Sequence, residues 1–196
     1  MNLSLNRRAF LALAATSPLL FCQTQAEAAG SLCNLTRMNP SGMPGLKEGS
    51  RAAKKDVADV LEALHFGGSI PIFASLKVAN AAAFPNLQGI GRAIVYNPHF
   101  MTALYNINEW APTSVIAHEI GHHIGLHQTS PNSHERELAA DSVSGCALAW
   151  MGATEWQAIV AMTKGLPISA GTPSHPATVR RVAAIRRSFA TCKDLK

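Results

Sequence analysis

The sequence carries little charge, since only 15% of its 196 residues are charged while 47% are hydrophobic. This composition excludes a disordered chain, which combines high net charge with low hydrophobicity. The sequence contains neither internal repeats nor a shift in composition that would mark a domain boundary. Beyond its first 28 residues it has no apolar run long enough to cross a membrane. We therefore expect one globular domain without a transmembrane segment after the N-terminal region.

Cysteine is also scarce, with four residues in the chain and no Cys-x-x-Cys spacing. The absence of that spacing excludes a cysteine-based zinc site. In an oxidising compartment, Cys33 and Cys192 are candidates for a disulfide, because they lie near the two ends of the mature chain. Cys146 lies in an apolar helical segment and is predicted to be a buried free thiol.

The first 28 residues have the features of an export signal that is cleaved after transport. Arg7 and Arg8 precede an apolar segment, and Ala26 and Ala28 form an A-x-A cleavage site. The paired arginines resemble the twin-arginine type of signal, which exports folded proteins. An ordinary secretion signal is the main alternative, and a lipoprotein attached at Cys22 or a retained signal anchor are two others. The predicted signal peptide therefore covers residues 1–28.

Cleavage near Ala28 would leave residues 29–196 as one exported domain of 168 residues, periplasmic or extracellular. Loss of Arg7, Arg8 and Glu27 would change the net charge from +5 to +4. Much of this charge lies near the C-terminus, where we interpret it as a solvated helix face. No nucleic-acid partner is expected, and contact with an anionic envelope surface is an open alternative.

The motif His-Glu-Ile-Gly-His, at residues 118–122, is the most informative feature of the chain. On a helix, His118 and His122 lie one turn apart on the same face, so that both imidazoles can bind one metal ion. Glu119 lies on the adjoining strip, where a carboxylate can take a proton from a metal-polarised water. His123 points about 100° away from His122 and is not expected to bind the metal. The motif therefore predicts a zinc site with two histidine ligands and a general base.

A catalytic zinc usually has a third protein ligand and one open position. The longer pattern H-E-x-x-H-x-x-G-x-x-H would place this ligand at residue 128, which is Gln128, so His127 is one residue out of register. Glu137 and Asp141 lie four residues apart on the next predicted helix, which is largely apolar, so that both acids need a partner. We favour Glu137 as the third ligand, with Asp141 holding a ligand histidine. His127 or His134 remain as alternatives.

The two segments H-E-x-x-H and Glu137-Leu-Ala-Ala-Asp141 resemble the H-E-x-x-H…E-x-x-A-D signature of the gluzincin metallopeptidases. The group that includes HtpX-type membrane proteases and the CAAX prenyl protease is the most similar. The downstream segment at residues 174–182 is similar to the His-Pro-x4-Arg-hydrophobic segment of that group. Members of the group usually carry several transmembrane helices, which this chain does not have beyond its N-terminus. Membrane-protein substrates therefore do not carry over.

The resemblance implies the zinc ligands His118, His122 and Glu137. It also implies that Glu119 is the general base. It further implies that Asp141 supports a ligand and that His175 and Arg181 lie near the site. His175 is open to another interpretation, because Ser-His-Pro is also a suitable loop end before a helix, or part of a lid. Arg181 can instead connect the C-terminal helix to Asp141 or Glu135.

The fold expected from these patterns is an α+β, zincin-like single domain over residues 29–196. A small antiparallel sheet would pack on a mostly helical C-terminal half that carries the H-E-x-x-H helix. Ser50 can cap a first helix that runs to about Leu64. Strands are predicted at residues 70–73, at Val78 and at residues 92–96, with residues 80–91 as a hairpin connection. Further helices are predicted at about residues 112–125, 133–151, 154–164 and 177–191.

The function expected from the site is that of an exported zinc-dependent metalloendopeptidase, with one Zn²⁺ per chain and a peptide or protein substrate. Glu119 would act as the general base, and His175 or Arg181 would stabilise the oxyanion. By analogy with zincin folds, the strand at 92–96 would be an edge strand that pairs with an extended substrate. The alternative is a non-catalytic zinc-binding envelope protein that keeps the fold. Glu119 favours the enzyme, because a purely structural zinc does not need a base.

Overall fold

The computed structural model describes residues 45–87, 89–124, 130 and 132–195. The predicted signal peptide at residues 1–28, Cys33 and His127 lie outside these described residues. The described part of the chain forms an α+β fold with one small four-stranded sheet and six α-helices, which confirms the predicted fold class. Within this part, no helix is both long and apolar enough to span a membrane.

The sequence predicted an antiparallel sheet, but the sheet is mixed. Its strands are β1 (Lys47–Glu48), β2 (Ile72–Ala74), β3 (Ala81–Leu87) and β4 (Gly91–Tyr96), in the spatial order β1-β2-β4-β3. Strands β1 and β2 are antiparallel, as are β3 and β4, whereas β2 and β4 are parallel. A parallel pair needs a crossover connection. Here that connection contains β3, which lies at the edge of the sheet, before the chain returns as β4.

Strand β3 occupies most of the segment that was predicted to be a hairpin connection. It is a seven-residue strand that pairs with β4, with an irregular register between Phe84 and Leu87. Pro85 lies in this irregular part, and proline is tolerated in edge strands because it cannot donate a hydrogen bond to a neighbour. The prediction that residues 92–96 form the edge strand is therefore wrong, because β4 has neighbours on both sides and β3 is at the edge.

Six α-helices complete the fold. They are α1 (Arg51–Ala63), α2 (Pro98–Ile107), α3 (Trp110–Ile124), α4 (Ser133–Met151), α5 (Glu155–Val160) and α6 (Thr178–Asp194). Helix α5 continues into a π-helical turn, Ala161–Gly165. Local signals define several starts: Ser50 caps α1, Asn132 caps α4, and Thr154 forms a capping box with Gln157 before α5.

Helices α3 and α4 approach each other closely at Gly121. A Cβ atom added to Gly121 would lie only 2.7 Å from the Cα atom of Ala140, so a larger residue would push the helices apart. Gly121 lies between His118 and His122, and Ala140 lies between Glu137 and Asp141. The contact therefore brings the two motifs of the predicted site face to face.

A disulfide joins Cys146 of α4 to Cys192 of α6, and their Cα atoms are 5.1 Å apart. Two predictions are therefore wrong: Cys146 is not a free thiol, and Cys192 is not paired with Cys33. The cause is the side-by-side packing of α4 and α6, which also lets the Trp150 indole N–H donate to the carbonyl of Cys192 at 2.8 Å. Proximity of the chain ends in sequence does not determine this pairing, because it depends on how the two helices dock.

We expect removal of this disulfide to lower the free energy of unfolding by up to about 4 kcal/mol, because the bond closes a long loop in the unfolded chain. The sequence separation of its cysteines is 46 residues. The measurement is urea unfolding of the wild type and of the Cys146→Ala, Cys192→Ala double variant, both without reductant. Adding reductant should destabilise only the wild type. Equal unfolding midpoints for the two proteins would contradict the expectation.

Candidate metal centre

Helix α3 presents His118 and His122 towards the same cavity. Their Nε2 atoms are 3.1 Å apart and their rings meet edge to face, as expected for residues one helical turn apart. His123 points away, as predicted, and its Nε2 atom donates to the carbonyl of Ala93 in β4 at 3.1 Å. Burial lowers the pKa of His123 to about 4, so this ring is neutral and serves the packing of α3 on the sheet.

Glu137 of α4 completes a group of three potential ligands. Its Oε2 atom lies 3.4 Å from Nε2 of His118, and its Oε1 atom lies 3.3 Å from Nε2 of His122. Ligands at 2.0–2.1 Å from a tetrahedral zinc are separated from one another by roughly 3.3–3.4 Å. The three side chains therefore form a group that could hold a metal ion.

The ionisation of Glu137 suits this position. Glu137 is buried, and burial alone would raise the pKa of its carboxyl group. His118 and His122 outweigh that effect through hydrogen bonding and charge, so that the pKa lies well below its usual range. The side chain is therefore a carboxylate, which is the form that binds a metal ion.

Asp141, one turn after Glu137, fixes the orientation of His118. The Nδ1 atom of His118 lies 2.9 Å from Oδ1 of Asp141, so Nδ1 carries the proton and donates it to the carboxylate. Nε2 then faces His122 and Glu137 as the nitrogen available to a metal ion. Burial and Arg181 lower the pKa of His118, but Asp141 and Glu137 outweigh them and raise it to about 10. A metal ion at Nε2 must therefore displace a proton.

Arg181 of α6 brings a positive charge to the two buried acids, Glu137 and Asp141. Its Nε and Nη2 atoms donate to the two carboxylate oxygens of Asp141, both at 2.8 Å, which is a bidentate pair. Nη2 also lies 3.5 Å from Oε2 of Glu137. Burial raises the pKa of the Asp141 carboxyl, but the Arg181 charge and His118 outweigh it and hold the pKa below its usual range. Arg181 therefore lies at the site, where it holds Asp141 through two hydrogen bonds and also contacts Glu137 and His118.

His175 reaches the site from the segment that precedes α6. Its Nε2 atom is 3.8 Å from Oε2 of Glu137, and its Nδ1 atom is 3.1 Å from the hydroxyl of Ser174. Burial lowers the pKa of His175, against the opposing charge of Glu137. The segment is held by α4, because the Ser133 hydroxyl donates to the carbonyl of Pro173 at 3.1 Å. His175 thus lies next to Glu137, one of the three potential ligands.

His134, an alternative ligand in the sequence, is placed elsewhere. Its Nε2 atom donates to the carbonyl of Thr172 at 2.8 Å, so this nitrogen holds the segment that carries His175. It does not belong to the group of potential ligands among the described residues. The other alternative, His127, lies outside those residues.

Glu119 lines the same cavity and is only 8% exposed. It follows His118 directly on α3. Glu119 is not part of the three-residue ligand group. Glu119 therefore shares the cavity with the three potential ligands, and its role as a base stays a prediction.

The cavity has a volume of about 300 Å³ and runs along strand β3. Edge-strand residues from Ala81 to Pro85 line one side of it. Apolar side chains from several helices line another part, namely Phe100, Val115, Ala158, Ala161, Met162 and Ile185. The sequence did not identify the β3 residues or Arg136 as parts of the site. For Arg136, the only signal in the sequence was its position directly before Glu137.

Comparison of the chain with known proteins finds no matching protein family, no matching curated protein and no matching solved structure.

Proposed function

We propose that the protein is an exported zinc-dependent metalloendopeptidase with a zincin-like arrangement of its site. The observation that carries this proposal is the spacing of the Nε2 atoms of His118 and His122 and the carboxylate of Glu137. These atoms are 3.1–3.4 Å apart, at the wall of a cavity that also contains Glu119. Three protein ligands next to an open cavity are typical of a catalytic zinc site and not of a closed structural one. The motif resemblance to gluzincins supports the same conclusion.

The chemistry of the donors favours zinc among divalent ions. Two imidazoles and one carboxylate form a ligand set found in zinc peptidases, whereas Mg²⁺ and Ca²⁺ prefer oxygen ligands. The same donors can also hold iron in oxygenases. Glu119 favours zinc over iron, because a buried acidic side chain beside the potential ligands can act as a base in hydrolysis. When bound, zinc would lower the pKa of water to about 7 and polarise a substrate carbonyl.

Each neighbouring side chain then has a defined task in hydrolysis. Glu119 accepts a proton from the attacking water and delivers it to the departing amine. Asp141 holds His118 in the tautomer that leaves Nε2 towards the site, and Arg181 holds Asp141. His175, beside Glu137, is positioned to donate a hydrogen bond to the carbonyl oxygen of the substrate as negative charge develops there.

The edge strand β3 offers a way to bind an extended peptide. Among the strands of the described residues, β3 pairs only with β4, and its residues Ala81 to Pro85 line the cavity. A peptide that adds to this edge would form backbone hydrogen bonds independent of its sequence. We therefore propose β3, and not residues 92–96, as the strand that pairs with an extended substrate.

The proposed compartment follows from the N-terminal signal features and from the disulfide. Cys146 and Cys192 are joined, and disulfides persist mainly in oxidising compartments such as the periplasm and the extracellular space. This supports export, with the twin-arginine and general secretion routes both open.

The proposal predicts that the purified, zinc-replete protein cleaves casein or members of a peptide library. Removal of the metal with a chelator should abolish cleavage, and adding back stoichiometric zinc should restore it, because the ligands alone cannot activate water. The measurement is mass spectrometry of the fragments before chelation, after chelation and after restoration. Cleavage that persists in the metal-free protein would contradict the proposal. A zinc-bound protein that cleaves no peptide would favour the non-catalytic alternative.

A further inference from the structure

We propose that Arg136 gives the site a preference for substrates that carry a carboxylate near the bond to be cleaved. This inference rests on the proposed peptidase function and specifies its substrate class. Arg136 lines the same cavity as the three potential ligands and immediately precedes Glu137 on α4. It is half-buried, so it is not fully exposed to bulk solvent.

Among the described residues, two arginines line the cavity, and of these only Arg181 is paired with a carboxylate. Arg181 is held by both oxygens of Asp141, and its side chain is only 11% exposed. Arg136 forms no ion pair with any acidic group in the described part of the chain. The neighbouring Glu135 instead accepts hydrogen bonds from the Ser130 hydroxyl and the Asn132 amide, at 2.8 Å and 3.3 Å. Arg136 is therefore the cation of the cavity that has donors to offer to a ligand.

The Arg136 side chain is also oriented in advance. Its Nη1 atom donates to the carbonyl of Ser130, which uses one of the five N–H donors of the guanidinium group. A side chain that is already held loses less conformational entropy when a ligand binds. The remaining donors form the planar fork that recognises a carboxylate through two parallel hydrogen bonds.

The charge of the cavity favours an anionic ligand only because of Arg136. Glu119, Glu137 and Asp141 bring three negative charges, and Arg181 together with a divalent ion would cancel them. Arg136 then leaves the cavity with one positive charge. Replacing Arg136 by a neutral residue removes both its hydrogen bonds to the carboxylate and this excess charge, so an acidic substrate loses its advantage.

Two kinds of carboxylate have this chemistry: the side chain of Asp or Glu, and the free C-terminus of a short peptide. The experiment starts from a peptide that the wild type cleaves in a library. For each position beside the scissile bond, four versions are compared, with Glu or Gln at that position and with a free or amidated C-terminus. We expect the preferred acidic version to have a kcat/KM about 10-fold higher than its neutral counterpart, mainly through KM. If the change from Glu to Gln lowers kcat/KM, the bound carboxylate is the acidic side chain. If amidation lowers it, the bound carboxylate is the C-terminus.

The variants are Arg136→Gln, Arg136→Lys and, as a matched control, Arg180→Gln. Arg180 is exposed on α6 and does not line the cavity, so its replacement removes the same charge elsewhere. Arg136→Gln should abolish the preference, Arg136→Lys should keep part of it, and Arg180→Gln should keep all of it. Zinc content and melting temperature of each variant show whether its fold is intact.

A binding measurement separates this inference from the proposed function. Fluorescence anisotropy with labelled acidic and neutral peptides is recorded on zinc-replete Glu119→Gln protein, with Arg136 intact or replaced by Gln or Lys. Tighter binding of the acidic peptide that depends on Arg136 would support the inference even if the wild type cleaved no peptide. Equal binding of both peptides, or a preference that survives Arg136→Gln, would overturn it whether or not peptides are cleaved.

Discussion

Replacing Glu119 by Gln is expected to lower kcat for peptide cleavage by roughly 10²–10⁴-fold while the protein keeps its zinc. Gln has nearly the same shape as Glu but cannot accept a proton from water at neutral pH. Glu119 is outside the group of potential ligands, so the substitution should not reduce metal content. The measurement combines steady-state kinetics on a library-derived peptide with the zinc content of the same sample.

Glu109→Gln is the matched control for this experiment, because Glu109 is an exposed carboxylate directly before α3 and does not line the cavity. Its replacement should leave both kcat and zinc content unchanged. Unchanged turnover by a zinc-replete Glu119→Gln variant would remove the general base from the mechanism.

Replacing Glu137 by Ala is expected to weaken zinc binding by more than about 100-fold. Loss of a residue that only supports a ligand already costs 10–100-fold, and Glu137 is expected to contact the ion itself. The variant should also lose cleavage at zinc concentrations that saturate the wild type. Competition with a chromophoric chelator measures the affinity, and circular dichroism shows whether the helices remain.

Glu135→Ala, an exposed acidic residue on the same helix, is the control and should bind zinc like the wild type. If Glu137→Ala kept wild-type affinity while a His134 or His127 variant lost it, the ligand assignment would be wrong.

The parts of the fold that the sequence predicted well depend on short-range signals. Helix α1 begins after Ser50, and α4 covers the predicted residues 133–151, because the capping side chain is encoded next to the helix that it starts. The group of potential ligands could be predicted from the sequence for a similar reason. His118 and His122 are related by one helical turn, and Glu137 belongs to a second motif on a largely apolar helix.

The parts that the sequence could not predict depend on contacts between distant segments. Strand β3 contains Ala81, Ala82 and Ala83 followed by Phe84 and Pro85, which is a weak pattern for a strand, and it forms by pairing with β4. The parallel pairing of β2 with β4 is likewise non-local. Consequently the identity of the edge strand, and with it the wall of the cavity, was predicted wrongly.

The disulfide and the role of Arg136 illustrate the same limit. Cys146 and Cys192 are brought together by the packing of α4 against α6, which local sequence does not encode. Arg136 was not singled out in the sequence, yet it lines the cavity. By contrast, the contact of Arg181 with Asp141 had been considered, because both residues lie in motifs that were expected at the site.

The most direct test of the metal centre is X-ray diffraction from crystals of the zinc-replete protein, with data collected on both sides of the zinc absorption edge. We expect one anomalous peak per chain, at about 2.0–2.2 Å from Nε2 of His118, Nε2 of His122 and a carboxylate oxygen of Glu137. The peak should border the cavity that contains Glu119. A full-occupancy zinc bound elsewhere, with these three side chains left without metal, would contradict the account.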